Sequence, residues 1–203
     1  MHQINRKIQN KIDNIKYLQN ELMNFKNFSE DEISNLLQKF EKTPRDEVSF
    51  YFKSLFTNLE FANVLLEIAD KYKENKKIQI NILSSIGNMI RRYGLEETDE
   101  IYDYFKTNMF IKNVGVYIAI HLPYLKRFEK ENSWEYFMKI KDMTPKKMAE
   151  TTFLNIVNEH ITEIPNEHKG EVIALLKQKQ QNSNNEGGQK YYQELIYTIL
   201  KGE

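Results

Sequence analysis

The chain has 203 residues, with 29 Lys+Arg against 29 Asp+Glu, so its formal net charge is +0 and it lacks the global positive field that sequence-independent nucleic-acid binding exploits. Hydrophobic residues make up 40%, with 12 Tyr, 12 Phe and one Trp, enough apolar and aromatic mass to exclude a disordered chain. Cysteine is absent, which excludes disulfides, thiolate catalysis and zinc sites of the Cys type.

Four Pro and seven Gly are few, and the abundance of Lys, Glu, Asn, Leu and Ile favours long helices over a turn-rich β sandwich. The first predicted helix is amphipathic: Ile4, Ile8, Ile12, Ile15, Leu18, Leu22 and Phe25 recur at steps of three and four. Its start has cations but no continuous apolar core of the kind a signal peptide needs, and no later segment approaches a membrane span. A cytoplasmic protein is therefore expected.

Ser29 with Glu32 three residues later forms a capping-box pattern ahead of Ile33, Leu36, Leu37 and Phe40. Thr43-Pro44 is expected to start the next helix, since Thr caps well and Pro suits the first helical position. A second pair of helices follows, carrying Phe61, Val64, Leu65 and Ile68 and then Ile78, Ile82, Ile86 and Met89, with Gly94 as the stop. A third pair carries Ile101, Tyr104 and Phe105, then Ile111, Val114, Ile118 and Leu122, with Pro123 expected to kink or end the second member. The fourth has Trp134, Phe137 and Met138, then Ala149, Phe153, Ile156 and Val157. A last pair is expected around Val172, Ile173 and Leu176 and around Leu195, Ile196 and Ile199. No run alternates with period two, so no β structure is expected.

The segment "EKTPRDEVSFYFKSLF" at 41–56 has a near-relative in "KDMTPKKMAETTFLNIV" at 141–157. Their Thr-Pro steps lie 101 positions apart, which is three units of about 34 residues, a spacing within the range of stacked helix pairs. The expected fold class is all-α: stacked antiparallel helix pairs with an N-terminal capping helix, forming one helical-repeat domain over 1–203. In that scheme 1–28 is the cap, 29–162 holds about four pairs, and 163–203 is a C-terminal pair with a flexible loop near 181–190.

By paired-helix spacing the chain resembles a HEAT-type helical-repeat protein over roughly residues 30 to 162. The Asp-plus-basic pair that HEAT repeats often carry in the second helix does not recur here. Small, Lys/Asn/Ile-rich helical chains of this size are also similar to cytosolic immunity proteins that protect bacteria from toxins. That likeness implies a partner class, a toxin domain, rather than a reaction.

Chemistry-bearing patterns are sparse. In "NEHITEIPNEHKGE", His160 and His168 lie eight apart with Pro165 between them, which is not the i, i+4 geometry of a zinc helix. His160 falls on the Ala149, Phe153, Ile156 stripe, as a hydrogen-bonded, partly buried side chain would. No Ser sits in a strand-to-helix elbow, and no phosphate-cradling glycine spacing occurs. Neither catalysis nor a metal or other cofactor is expected, and no small-molecule substrate is evident.

Helical-wheel angles on the second helices point to a binding ridge instead. The side opposite each apolar stripe carries Asn88 and Arg91, with Ser84, on one helix and Asn113, Tyr117 and Tyr124 on the next. Thr151, Asn155 and Asn158 occupy the same side of the following one. Tyrosine adds much contact area with few rotors, which suits an interface. A second candidate is acidic: Glu96, Glu97, Asp99, Glu100 and Asp103 gather at a helix start, where they complement the dipole or receive a basic partner. The expected function is non-catalytic binding of another protein, most concretely inhibition of a toxin domain. The alternatives are a scaffold, or a nucleic-acid-binding helical-repeat protein such as a DNA glycosylase, which the neutral charge balance disfavours.

Overall fold

A computed structural model describes residues 5–46, 48–128 and 133–201. Ile4 and His2 lie outside the described residues. Among the described residues the fold is all-α, with eleven α-helices, short 3-10 turns and no strand. No helix there is long and apolar enough to cross a membrane. The chain divides into two compact units, 1–131 and 132–203.

The first unit holds α1 (Arg6–Met23), α2 (Glu30–Asp46), α3 (Lys53–Phe56), α4 (Leu59–Lys71), α5 (Lys76–Tyr93), α6 (Asp99–Asn108) and α7 (Gly115–Ala119). The amphipathic stripe of α1 buries Ile15, Leu18 and Leu22, and Phe25 follows them inside just beyond the helix. That face lies on α2 and α4. The helices pair as α1 with α2, α4 with α5 and α6 with α7, and the second members α2, α5 and α7 lie side by side in that order. This is the packing of a helical-repeat fold. Phe40 of α2 sits among Phe56 and Phe61, with ring centroids 6.1 and 4.9 Å away, so aromatic contacts close the core between the pairs.

Helix ends follow local chemistry. The Ser29 backbone N–H donates to the Glu32 carboxylate at 2.8 Å and its hydroxyl to the same oxygen at 2.7 Å, completing the expected capping box. Asn75 caps α5 by accepting from the backbone N–H groups of Lys77 and Ile78. Gly94 ends α5 with φ +76°, the left-handed conformation that costs glycine least.

Thr43-Pro44 behaves differently from the expectation that it opens a helix: both residues lie in the last turns of α2. A proline there deletes the N–H that would bond the carbonyl four residues back, which is Phe40. The Thr43 hydroxyl donates to that same Phe40 carbonyl at 2.7 Å, so the orphaned acceptor is met. The chain beyond it is not a long helix but a 3-10 turn, Phe50–Phe52, and the single turn of α3. The expected first pair is therefore replaced by α1 with α2, while the expected second and third pairs fall on α4 with α5 and α6 with α7. The second member of the third pair is also short: α7 ends at Ala119, and Pro123 sits in a separate 3-10 turn, Leu122–Tyr124.

The second unit holds α8 (Ser133–Ile140), α9 (Lys146–Glu159), α10 (Asn166–Gln181) and α11 (Glu186–Lys201). Here the Thr-Pro step does precede a helix, since Pro145 is the residue before α9. The α8 and α9 helices pack together around Trp134, Phe137 and Phe153. The α10 and α11 helices form a hairpin closed on Val172, Leu176, Leu195 and Ile199. The polar stretch 181–190, expected as a loop, is mostly helical. The turn shrinks to four residues because the Asn185 side chain accepts from the Gly188 backbone N–H at 2.6 Å and starts α11 early.

Candidate functional site

The second helices of the 1–131 unit enclose a groove of about 420 Å³. From α2 come Glu41 and Arg45; from α5 come Asn81, Ser84, Asn88, Arg91 and Arg92. Tyr117 of α7 and His121, which follows it, close the far wall. These positions share a face because steps of three and four residues repeat along α5, and because α2 and α7 flank it.

The floor is a histidine laid against a glycine. His121 is 5% exposed. A methyl group at Gly87 would come within 2.6 Å of its Cδ2 and Nδ1 and closer still to Cγ, so the absent side chain is what lets the ring reach α5. Burial, with Arg91 and Arg92 adding to it, pushes the imidazole pKa down to about 4. The ring is therefore neutral at ordinary pH and sits in a positive field. Its Nδ1 is buried without a hydrogen-bond partner, and so is Nδ2 of Asn81 on α5.

The walls are partly committed. Arg45 holds Glu41 at 2.9 Å through Nη1 and Asp46 at 3.0 Å through Nε. Burial raises the Glu41 carboxyl above its usual range, against the pull of Arg45. Arg92 donates from Nε to Asn88 Oδ1 at 3.2 Å, and Asn88 in turn donates to the Ser84 carbonyl at 2.8 Å. The Arg91 guanidinium lies 4.1 Å from the centroid of the Tyr124 ring, a cation–π stack that fixes it without using its in-plane donors.

A serine, a histidine and a glutamate thus line one groove, yet they do not form a hydrolytic triad. The base of a triad needs a carboxylate on its second nitrogen. Here His121 Nδ1 has no partner, and the Glu41 carboxylate is bonded to Arg45. Among the described residues no group of three or more His, Asp or Glu is placed to hold a metal ion. A second cleft of about 330 Å³ between α1 and α2 is lined by Lys11, Lys39, Lys42 and the apolar Ile15 and Phe52. The two unmet groups of α5 and His121 line the larger groove, which is the stronger candidate.

The structure brings together Asn88, Arg91 and Tyr117 from the ridge expected on the sequence, with Tyr124 stacked on Arg91. Asn88 is 6% exposed and spent on its own helix, so it shapes the wall rather than reaching outward. Asn113 is exposed in the loop before α7, where its φ of 67° places it in the left-handed region. Thr151, Asn155 and Asn158 belong to the second unit, exposed on α9, with the Thr151 hydroxyl donating back to the Lys147 carbonyl. The acidic segment has structural duties: Thr98 caps α6, Glu97 accepts from the Lys126 backbone N–H at 2.7 Å, and Arg127 pairs with Asp99. Glu96, Glu100 and Asp103 are exposed. Glu41, Arg45, Asn81, Arg92 and His121 join Asn88, Arg91 and Tyr117 in the groove, beyond the ridge that the sequence pattern points to. The i, i+4 pair Glu41–Arg45 and the lone glycine inside α5 are the signals that point to them.

His160 is half-buried and bonded through Nδ1 to Glu163 at 2.9 Å, as its place on the stripe implied. Comparison with protein-family models, with curated proteins and with solved structures finds no match.

Proposed function

We propose that this chain is a protein-binding module that acts by occupying its partner, with the α2–α5–α7 face as the docking surface. The observation that carries this reading is the groove itself. Its guanidiniums are pre-positioned by intramolecular contacts, while buried polar atoms of Asn81 and His121 are left without partners. Unmet buried groups are costly in a fold and are met when a ligand supplies the missing bonds. A half-buried tyrosine at the rim, Tyr117, adds an anchor of the kind interfaces favour. The neutral overall charge supports a protein partner over a long polyanion. An immunity protein that covers a toxin domain is the concrete case suggested by the sequence resemblance, and it would use this same face.

A photo-crosslinking side chain at position 117, compared with one at the exposed Tyr197 of α11, tests the reading in cells of the source organism. A discrete protein adduct at 117, absent at 197 and lost when Asn81→Asp closes the groove electrostatically, is the expected result. Adducts to RNA or DNA, or the same adducts from both positions, would overturn it.

A further inference from the structure

The geometry points to a carboxylate subsite: the groove takes an Asp, Glu or C-terminal carboxylate from an acidic segment of the partner, met by the guanidiniums that line it, Arg45, Arg91 and Arg92, with Asn81 lining the same groove further along α5. This deepens the proposed function and rests on its choice of face. Three guanidiniums line the groove against two carboxylates, Glu41 and the Asp46 that also holds Arg45, so the groove keeps a small positive balance, carried by Arg91 and Arg92, in a chain whose charges otherwise balance. Arg45 uses Nη1 and Nε on Glu41 and Asp46, which leaves Nη2 of its fork uncommitted to either acid. Arg92 bonds Asn88 through Nε, so its Nη groups extend beyond that contact. The Arg91 plane is stacked on Tyr124, and stacking orients a guanidinium for edge-on bonding to a planar carboxylate.

Asn81 supplies the independent observation. Its Nδ2 is a buried donor without an acceptor, on the groove wall, and a donor of that kind is satisfied by an oxygen. His121 is the second buried group lacking a partner, and the Arg91 and Arg92 charges that lower its pKa are the field an anion would meet. A carboxylate fits better than a phosphate for a physical reason. Glu41 stays in the groove, where a dianion is repelled more than a monoanion.

The probes are an end-blocked hexaglutamate peptide and a dT6 oligonucleotide at matched ionic strength, titrated into the intact chain while the Asn81 side-chain amide and His121 ring resonances are followed by NMR. Saturable shifts at both groups with hexaglutamate are expected, with weaker shifts for dT6. Binding should weaken roughly tenfold or more in Arg91→Gln, the loss expected for a charge-assisted hydrogen bond. It should vanish in Asn81→Asp, whose new carboxylate pairs with the arginines and leaves the helix intact. No saturable shift, binding unchanged in Asn81→Asp, shifts confined to the Lys11, Lys39 and Lys42 cleft, or tighter binding of dT6 would each overturn the subsite. Failure of hexaglutamate alongside a protein adduct at position 117 would remove the subsite and leave the docking face standing.

Discussion

Gly87→Ala isolates the contact on which the groove depends. Glycine inside a helix ordinarily costs about 1 kcal/mol relative to alanine, so the substitution taken alone stabilises α5. Against that gain, the new methyl lies within 2.6 Å of the His121 Cδ2 and Nδ1, where ordinary carbon contacts are about 3.5–4.0 Å. The ring must retreat by about 1 Å, and overpacking of this kind costs about 1–3 kcal/mol. Because Cγ, Cδ2 and Nδ1 are all met at once, the upper end applies, and a net loss of about 2 kcal/mol is expected. Removing the ring reverses the sign: in a His121→Ala background the methyl meets no imidazole, and Gly87→Ala should then stabilise by up to about 1 kcal/mol. A double-mutant cycle of urea unfolding midpoints, followed by far-UV circular dichroism at constant m-value, reads a coupling of about 3 kcal/mol. A rise in midpoint for Gly87→Ala in the unmutated chain, or the same effect in both backgrounds, refutes the packing of ring on glycine.

His121 should also make stability depend on pH. Its folded pKa of about 4 lies below the unfolded value of 6.5, so the unfolded chain binds more protons between them, and stability is lost as pH falls from about 6.5 to about 4. The loss is about 3 kcal/mol, worked from the shift, and His121→Gln should flatten that part of a urea-midpoint profile. Glu41, raised by burial, works in the opposite sense, its contribution present at low pH and lost as pH rises through its folded pKa. Gly94→Ala should cost about 1 kcal/mol by urea unfolding, through backbone strain alone, because nothing lies within 4 Å of the added methyl. Tyr104→Phe removes the hydroxyl that donates at 2.7 Å to the buried Gln79 and should cost about 1–3 kcal/mol, whereas an unchanged midpoint would show that Gln79 finds another donor. Asn81→Leu should raise the unfolding midpoint by removing an unmet donor while abolishing hexaglutamate binding; a lower midpoint would show that the amide is bonded in the free protein.

Features that depend on neighbours in sequence were legible before the fold was known. Ser29 with Glu32, and Gly94 after the last apolar residue of α5, each specify a helix end through contacts within one turn, and both ends form as read. Thr43-Pro44 failed because one dipeptide has two local solutions. Thr can cap the start of a helix, or its hydroxyl can take the carbonyl that proline leaves unbonded at a helix end. Here Phe52 and Phe56 reach the core from the 3-10 turn and α3 without a continuous helix from Pro44, while Val48 is 61% exposed. The ridge was half legible for a similar reason. Helical angles place Ser84, Asn88 and Arg91 on one side of α5, but which of them point into a groove is set by α2 and α7 packing on either flank. Glu41 and Arg45 enter the site by that packing, a relation between residues more than thirty positions apart that no periodicity encodes.

The two flanks of α5 differ in how their buried amide side chains are treated. Buried Gln79 of α5 has its amide nitrogen bonded to the Ala69 and Tyr72 carbonyls and its oxygen to Tyr104, so burial there is compensated at every atom. On the opposite flank of the same helix, Asn81 Nδ2 and His121 Nδ1 are buried and unmet, two residues from Gln79 in the first case. Each such group destabilises the chain by about 1–3 kcal/mol. Fold stability accounts for Gln79, for Arg45 on Glu41 and for Arg92 on Asn88, since each of those bonds lowers the energy of the molecule alone. It does not account for Asn81 or for an imidazole held against a glycine in the field of two arginines. Local rules are thus broken on the flank of α5 that faces the groove and kept on the flank that carries Gln79, and that contrast is the physical basis on which the docking face is proposed.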